Sequence, residues 1–561
     1  MLKRIFTMFL AGAISFSLLT GCAKESSEPS TTESTVKNTS EDTVSGEYPE
    51  ELSLPLTDEP VTLSMFVHTR VGVDDFENNE FTKWLEEQTG IDLEFVVSPE
   101  QSVEEKRNVL LTSGDYPDIF TGTTTMKSAQ IKMYGDMGVF ITLNDLIDKY
   151  GYNTKKALEA FPQASDIITM PNGNIYALPS INDAYHAQMS YKMWVYQPWL
   201  DALELDMPAT TEEFKDMLMD FKEKDPNGNG IADEIPMMGS LNGWNSSPEL
   251  FLMNSFVYWD IRNAKGLHVQ DGKIIASYTQ DGWKEGLKYL HSLVEEGLLA
   301  PETYTQDNDV LIQHVDNDPI LVGAAPSGYM GMFTQVAASD KWADFVAMPP
   351  VKGPDGTQYV TWNPYDGVSL QYMITDKCEN PELAFKLADF LYTEEATQRQ
   401  TGPEGIAYRN LESDSGLLGM NGKPATYEML QGIDQMPQNS GWNQTTVSLR
   451  TADFRASAAL ADSALFEAPL HQMTEKNYAP YKPSIEMVIP PIIFGEESAV
   501  ELLTIENTVS TYIEEKTVAF ITGALDIDAN WEIYLTELET MGLPRLIELY
   551  QEALDEYNAK G

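Results

Sequence analysis

Runs of β-favouring apolar residues alternate with helical stripes along the N-terminal part of the chain. Val61-Thr62-Leu63-Ser64-Met65-Phe66-Val67 reads as a strand, and a helical segment around Phe81, Trp84 and Leu85 separates it from a second, Asp92-Leu93-Glu94-Phe95-Val96-Val97. A helical stretch through Leu110-Leu111 leads, by way of Gly114-Asp115-Tyr116-Pro117-Asp118, to the short strand Ile119-Phe120. This alternation predicts βαβ units on a largely parallel sheet. Further on, Thr210 and Glu213 form a capping-box pair ahead of Phe214, Met217, Leu218 and Phe221, apolar positions at helical spacing. The C-terminal end repeats the helical signal twice: Trp531, Tyr534, Leu535 and Leu538 before Gly542, then Leu546, Leu549, Tyr550, Ala553 and Tyr557. Stripes of this kind are core faces.

The first residues break the pattern. A basic Lys3-Arg4 precedes an apolar stretch, Ile5 to Leu19, interrupted by Gly12, Ser15 and Ser17, which is too short and broken for a membrane span and reads as a signal peptide, residues 1–21. It ends in Leu19-Thr20-Gly21-Cys22, which resembles a lipobox, where a cysteine thiol is diacylated and the chain is cut just before it. No other stretch reaches the roughly 18 to 20 apolar residues of a transmembrane helix, so the expectation is a protein tethered by lipid to the outer face of the cell membrane. Residues 22–50 form a stalk: Ala23 to Glu50 is almost all Ser, Thr, Glu, Lys and Pro, and cannot bury enough apolar surface to become ordered.

Composition bounds the rest. With 42% apolar residues over the whole chain, the 51–561 segment can build more than one core, so two packed lobes are expected. Cys22 and Cys378 are the only cysteines, and acylation of the first leaves no disulfide framework. The formal charge of −51 argues against nucleic acid or an anionic lipid surface as partner, and identifies no substrate.

The sharpest local signal is Asp225-Pro226-Asn227-Gly228-Asn229-Gly230-Ile231-Ala232-Asp233-Glu234. Oxygen-bearing side chains at loop positions 1, 3, 5 and 9 (Asp225, Asn227, Asn229, Asp233), with glycine at position 6, match the spacing of an EF-hand calcium loop, and Ile231 would add its carbonyl. Position 12 is Pro236 where an EF-hand has its bidentate Glu, so Glu234 is the expected substitute ligand. Mg²⁺ prefers a tighter octahedron with retained waters, which makes Ca²⁺, in a structural role, the assignment. For catalysis there is no H-E-x-x-H, G-x-S-x-G, Walker A loop or paired C-x-x-C, and the six histidines show no ligand spacing. Two carboxylates suffice for glycoside hydrolysis, so a surface-tethered polysaccharide-degrading enzyme stays open as a rival reading. Aromatics beside polar groups recur in apparent loops, as in Asn182-Asp183-Ala184-Tyr185, Trp244-Asn245, Trp362-Asn363-Pro364-Tyr365-Asp366 and Trp442-Asn443, a supply suited to sugar rings and their hydroxyls.

Taken together, these features resemble the extracellular solute-binding lipoproteins of carbohydrate ABC importers, in the large branch similar to LplA-type and alginate-binding proteins. The carriers are the lipobox, Leu111-Thr112-Ser113-Gly114-Asp115-Tyr116-Pro117-Asp118-Ile119, Asn174-Ile175-Tyr176-Ala177-Leu178-Pro179, Trp199-Leu200-Asp201 with Pro208-Ala209-Thr210-Thr211, the calcium loop, Glu295-Glu296-Gly297-Leu298, Gly402-Pro403-Glu404-Gly405-Ile406, Phe520-Ile521-Thr522-Gly523-Ala524 and Tyr550-Gln551-Glu552-Ala553. The resemblance implies an α/β periplasmic-binding-protein-like fold, each lobe a mostly parallel sheet flanked by helices. One lobe would take roughly 55–175 plus 348–400, the other roughly 180–345 plus much of the C-terminal helical region. It further implies a monomer that grips an oligosaccharide between the lobes, is no enzyme, and docks on membrane permease subunits, touching the membrane only through its lipid. A peptide-binding lipoprotein or a sensor lipoprotein would suit the same two-lobe organisation. Candidate ligand contacts are His68, Arg70, Thr121, Thr123, Asp183, Tyr185, Trp244, Tyr329, Trp362, Asp366, Glu404 and Trp442. Arg70 could hold a uronate carboxylate bidentately, but with no Lys/Arg cluster in the sequence the expectation is a neutral or mildly acidic sugar.

Overall fold

The alternating pattern folds into two main sheets of unequal size in a computed structural model that describes residues 48–70, 72–122, 126–261, 265–336, 339–432, 436–461, 467–492, 494 and 496–560. Cys22, the signal peptide and nearly all of the expected stalk lie outside these residues, as does Thr123. Strands are numbered along the chain. The larger sheet takes β1 (Val61–His68), β2 (Ile91–Ser98), β3 (Ile119–Thr121), β4 (Leu178–Asn182), β11 (Val368–Ile374) and β14 (Leu449–Arg450), in the order β14-β4-β11-β3-β1-β2. The smaller takes β5 (Met193–Tyr196), β6 (Ile235–Met237), β9 (Val322–Pro326) and β10 (Phe345–Met348), in the order β10-β5-β9-β6. A hairpin, β7 (Leu267–Gln270) with β8 (Lys273–Ala276), and a three-stranded sheet of β12 (Tyr408–Asn410), β13 (Tyr427–Met429) and β15 (Ala458–Leu460) complete the set.

Local chemistry sets the helix ends. The Asn79 side chain accepts from Phe81 N at 3.0 Å to start the helix Glu80–Thr89, which stops at Gly90 in the left-handed region. Thr210 and Glu213 close the expected capping box of the helix Thr211–Glu223, with Glu213 N donating to Thr210 Oγ1 at 3.1 Å and Thr210 N to Glu213 Oε2 at 3.2 Å. That helix buries Phe214, Met217, Leu218 and Phe221. One core, around Leu63, Met65, Leu85, Tyr372 and Phe385, lies under the larger sheet, and a second, around Trp194, Trp199, Trp283 and Leu290, under the smaller. Trp531, Tyr534, Leu546 and Leu549 of the C-terminal helices join the second.

The chain passes between the sheets through segments that matter below. Residues 183–192 lead from β4 into β5, and residues 349–367 return from β10 into β11. Because these passages run in opposite directions, the strands at their ends pair antiparallel: β4 with β11, and β5 with β10. Both sheets are therefore mixed. In the larger, β11 is antiparallel to β3 as well as β4, while β1 pairs parallel with β2 and β3 and β14 with β4. In the smaller, β5 is antiparallel to β9 as well as β10 and β6 pairs parallel with β9, which corrects the expectation of a mostly parallel sheet for that lobe. After β14 the chain supplies β15 and the helix Glu467–Asn477, whose C-terminal end locks onto β10 through Asn477 Nδ2 to Ala347 O at 2.6 Å and Tyr478 Oη to Met348 O at 2.7 Å. No described helix is long and apolar enough to cross a membrane.

Candidate cleft at the lobe junction

Along a strand every second side chain faces the same way, so β4 presents Ser180 and Asn182, and β11 presents Ser369 and Gln371, to one side. These four line a cavity of about 430 Å³ where the larger sheet meets the crossing segments, which add Ala184, His186, Asp366 and Gly367. β14 brings Arg450 beside β4, the small sheet adds Tyr408, Tyr427 and Met429, and Phe454 and Arg455 follow from the short helix Ala452–Ala456. Trp244 enters from the other lobe, its ring lying on Gly328, where an added Cβ would come within 2.1 Å of the indole. Only glycine permits that approach.

Charge in the cavity is organised around Arg455, which donates to Asn182 Oδ1 at 3.1 Å and Glu467 Oε2 at 3.2 Å. Burial alone would raise the Glu467 carboxyl, but the Arg455 and Arg450 guanidiniums outweigh it and hold the group below the usual carboxylate range. Burial depresses His186 to about 3, so it is neutral at physiological pH. Asn182 in turn donates to Gln444 Oε1 at 2.9 Å, and Arg70 Nη1 to Asn443 O at 3.3 Å. Asn443, Gln444 and Asn245, beside Trp244, all have positive φ (45°, 63° and 58°), a costly backbone state for side-chain-bearing residues that collects at functional loops. Gln371, Gln398 and Tyr408 each keep one buried polar atom without a hydrogen-bond partner among the described residues, in the cavity wall.

Of the residues named from sequence, Arg70, Trp244 and Asp366 come together here. Tyr329 stands beside Trp244, ring centroids 6.3 Å apart, and Asp183 and Tyr185 line a small adjoining void that shares His186, Arg455 and Glu467 with the cavity. The others lie outside its lining. His68 is buried with Nδ1 3.0 Å from Thr69 O, and Thr121 donates to Thr445 O at 3.1 Å. The Trp362 ring is covered by Lys482 Nζ at 4.5 Å from its centroid, and Glu404 points to Arg399 at 3.9 Å. Trp442 is a correction: its side chain is 0% exposed, packed edge-on against Phe76, Phe81 and Phe95, with Nε1 donating to Thr82 Oγ1 at 2.8 Å. The first core claims it, leaving no face for a ligand. Sequence reasoning missed Arg450, Arg455, Glu467 and Tyr427; Trp-Asn and Asn-Gln pairs, candidates for left-handed turns, were the available pointers to the nearby loops.

The loop 225–234 leaves the helix Thr211–Glu223 and runs straight into β6. Asp225 accepts from Asn229 N and Gly230 N at 3.2 and 3.0 Å, Asn229 Oδ1 accepts from Ile231 N at 2.7 Å, and Asn227 and Asn229 both donate to Asp233. Glu234 Oε1 is buried without a hydrogen-bond partner among the described residues, and the Glu234 carboxyl is raised by burial and by the nearby Asp225 and Asp233 charges. Among the described residues no group of three or more His, Cys, Asp or Glu side chains meets at ligating distance.

The profile of the bacterial extracellular solute-binding proteins matches residues 73–398, more than half of the chain. The fructooligosaccharide ABC transporter substrate-binding protein FusA of Streptococcus pneumoniae is 27% identical over 524 residues, 91% of this chain and 93% of that one. Its structure with kestose superposes with a TM-score of 0.76 at 25% identity, over 89% of this chain and 100% of that one, and an EF-hand mutant of the same protein at 0.75. An extracellular solute-binding protein of Bifidobacterium longum subsp. infantis shares the fold, with a TM-score of 0.76 at 23% identity over 89% and 99% of the two chains.

Proposed function

Since the chain belongs to the bacterial extracellular solute-binding proteins, we propose that it captures an oligosaccharide in the cavity at the lobe junction and delivers it to an ABC-type permease. The observation that carries this reading is the position of Trp244, an indole from one lobe that lines the same cavity as Asn182, Gln371, Gln398 and Arg455 from the other. A sugar ring offers an apolar face to the indole and hydroxyls to that wall, and the unpartnered polar atoms of Gln371, Gln398 and Tyr408 supply hydrogen-bonding capacity not used within the fold. Binding without turnover suits the site, where Glu467 is engaged by Arg455 and His186 is held neutral.

The organisation that goes with this function is a signal peptide at 1–21, a lipidated stalk at 22–50 anchored through Cys22 at the outer face of the membrane, and a monomeric two-lobe domain beyond it. Calcium belongs to the same reading. Asp225, Asn227, Asn229, Asp233 and Glu234, with the Ile231 carbonyl, would hold the ion, and the unsatisfied Glu234 beside two further carboxylates fits a cation there. Bound, Ca²⁺ supplies only charge compensation that stiffens the turn. The deciding experiment is calorimetric titration of the mature protein against oligosaccharide and peptide panels, followed by incubation with any glycan bound. Saturable glycan binding without new reducing ends is expected; accumulating reducing ends would replace the binding reading with the hydrolase, and peptide binding alone would move the protein to another substrate class.

A further inference from the structure

The cavity carries an asymmetry of charge that the composition of the chain conceals. Three guanidiniums, Arg70, Arg450 and Arg455, line it against two carboxylates, Asp366 and Glu467, in a protein whose formal charge is −51. His186 is neutral and alters nothing in that count. Arg455 is spoken for by Glu467 and Asn182, and Arg70 by the Asn443 carbonyl. Arg450 differs from both. It comes off β14 at the edge of the larger sheet, next to β4, and its guanidinium makes no hydrogen bond or ion pair among the described residues. Its surroundings are unfavourable for a lone cation: burial and the neighbouring Arg455 bring its pKa down to about 10, with Tyr427 and Glu467 compensating in part.

Leaving a half-buried guanidinium with no hydrogen bond among the described residues, and with a Glu467 charge already engaged by Arg455, is costly, and hydroxyls of a neutral sugar would satisfy its N–H groups without neutralising it. An oxyanion does both, because the planar fork of Arg meets a carboxylate or sulfate with two parallel hydrogen bonds. The aromatic pair Tyr427 and Phe454, stacked at 5.0 Å and 22°, lines the same cavity and gives a sugar ring an apolar neighbour beside that cation.

We propose that the ligand is an acidic oligosaccharide whose oxyanion substituent, a uronate carboxylate or a sulfate ester, is read by Arg450, with Arg455 held in place by Glu467 as the second positive wall. This rests on the oligosaccharide reading given above and narrows it. The test is calorimetric titration of the mature protein with matched sugars: galactotriose against trigalacturonate and a sulfated galactotriose, and mannotriose against trimannuronate, each repeated with Arg450→Gln and Arg450→Lys after their melting curves confirm folding. At least one acidic member should bind roughly tenfold or more tightly than its neutral partner. The carboxylate and sulfate arms then say which oxyanion is meant. Arg450→Gln should bring the acidic sugar to the neutral level, and Arg450→Lys, which keeps charge but loses the fork, should retain part of the preference. Neutral sugars binding as tightly as their acidic partners would overturn this proposal and leave the oligosaccharide reading standing. Binding of no glycan in this or the broader panel would overturn both. A preference surviving intact in Arg450→Gln would remove Arg450 from the role.

Discussion

Two tryptophans that look alike in sequence, each followed by Asn with positive φ, do opposite work. Trp442 fills the first core among Phe76, Phe81 and Phe95, and Trp442→Ala is expected to cost about 3–5 kcal/mol, read as a lowered denaturation midpoint. Trp244 lies on Gly328 at the rim of the cavity, so Trp244→Ala should leave the midpoint nearly unchanged while weakening glycan binding in calorimetry. Equal stability losses for the two would place Trp244 in the core as well. Lys192 poses a different question, since its side chain is fully buried at the end of the first crossing segment, with Nζ donating to the carbonyls of His186 and Met189. Burial brings its pKa from 10.5 to about 7. A depressed folded-state pKa means the unfolded chain binds the proton more readily between those values, so this site's contribution to stability is fully present above about 10.5 and is lost as pH falls through 7. The difference in stability between the wild type and Lys192→Met should therefore move in favour of the wild type as pH rises from about 7 to about 10. A difference that does not vary with pH would show that Lys192 titrates as in free solution.

Among the elements, the loop 225–234, proposed to hold calcium, makes the most direct claim. Without an ion, Glu234 is destabilised as a carboxylate by burial and by Asp225 and Asp233, and its raised pKa means the stability it contributes is lost as pH rises through that pKa. A divalent cation reverses this, so calcium should stabilise most at neutral pH and least where the carboxylates are protonated. Excess chelator is expected to lower the melting temperature at neutral pH, reversibly, and Asp225→Ala to abolish the response; an unchanged melting curve with no calcium by elemental analysis would remove the metal from the loop. Elements of this kind were legible because their signals are local: the strands β1 to β3, the capped helix at Thr211 and the two C-terminal stripes follow from periodicity and caps. The cavity was legible only in part. Arg70, Trp244 and Asp366 could be named from loop position, but Arg450 gains its meaning from β14 lying beside β4, a pairing between strands far apart in the sequence that no short-range pattern records. The mixed second sheet escaped for the same reason: strand direction there follows from how the chain crosses between the lobes, while alternation of strand and helix speaks only of neighbours.

At the scale of the whole molecule, the proposed function separates capture by the folded part from delivery through the expected tether. The cavity sits where the crossing segments meet the larger sheet, and Gly367, with φ of 98°, is placed so tightly there that an added Cβ would come within 2.6 Å of Asn182 O. Affinity is thus a property of the lobes and the passages joining them. Delivery depends on proximity to a permease, which the proposed lipid on Cys22 and the stalk expected from sequence would secure. A protein so tethered would meet its permease at an effective concentration that a diffusing copy does not reach. Cys22→Ser should accordingly leave the calorimetric affinity for the glycan unchanged yet sharply reduce uptake of labelled glycan by cells that lack an outer membrane, with the protein recovered in the medium. Undiminished uptake at native expression would show that proximity is not limiting, and that the tether serves retention alone.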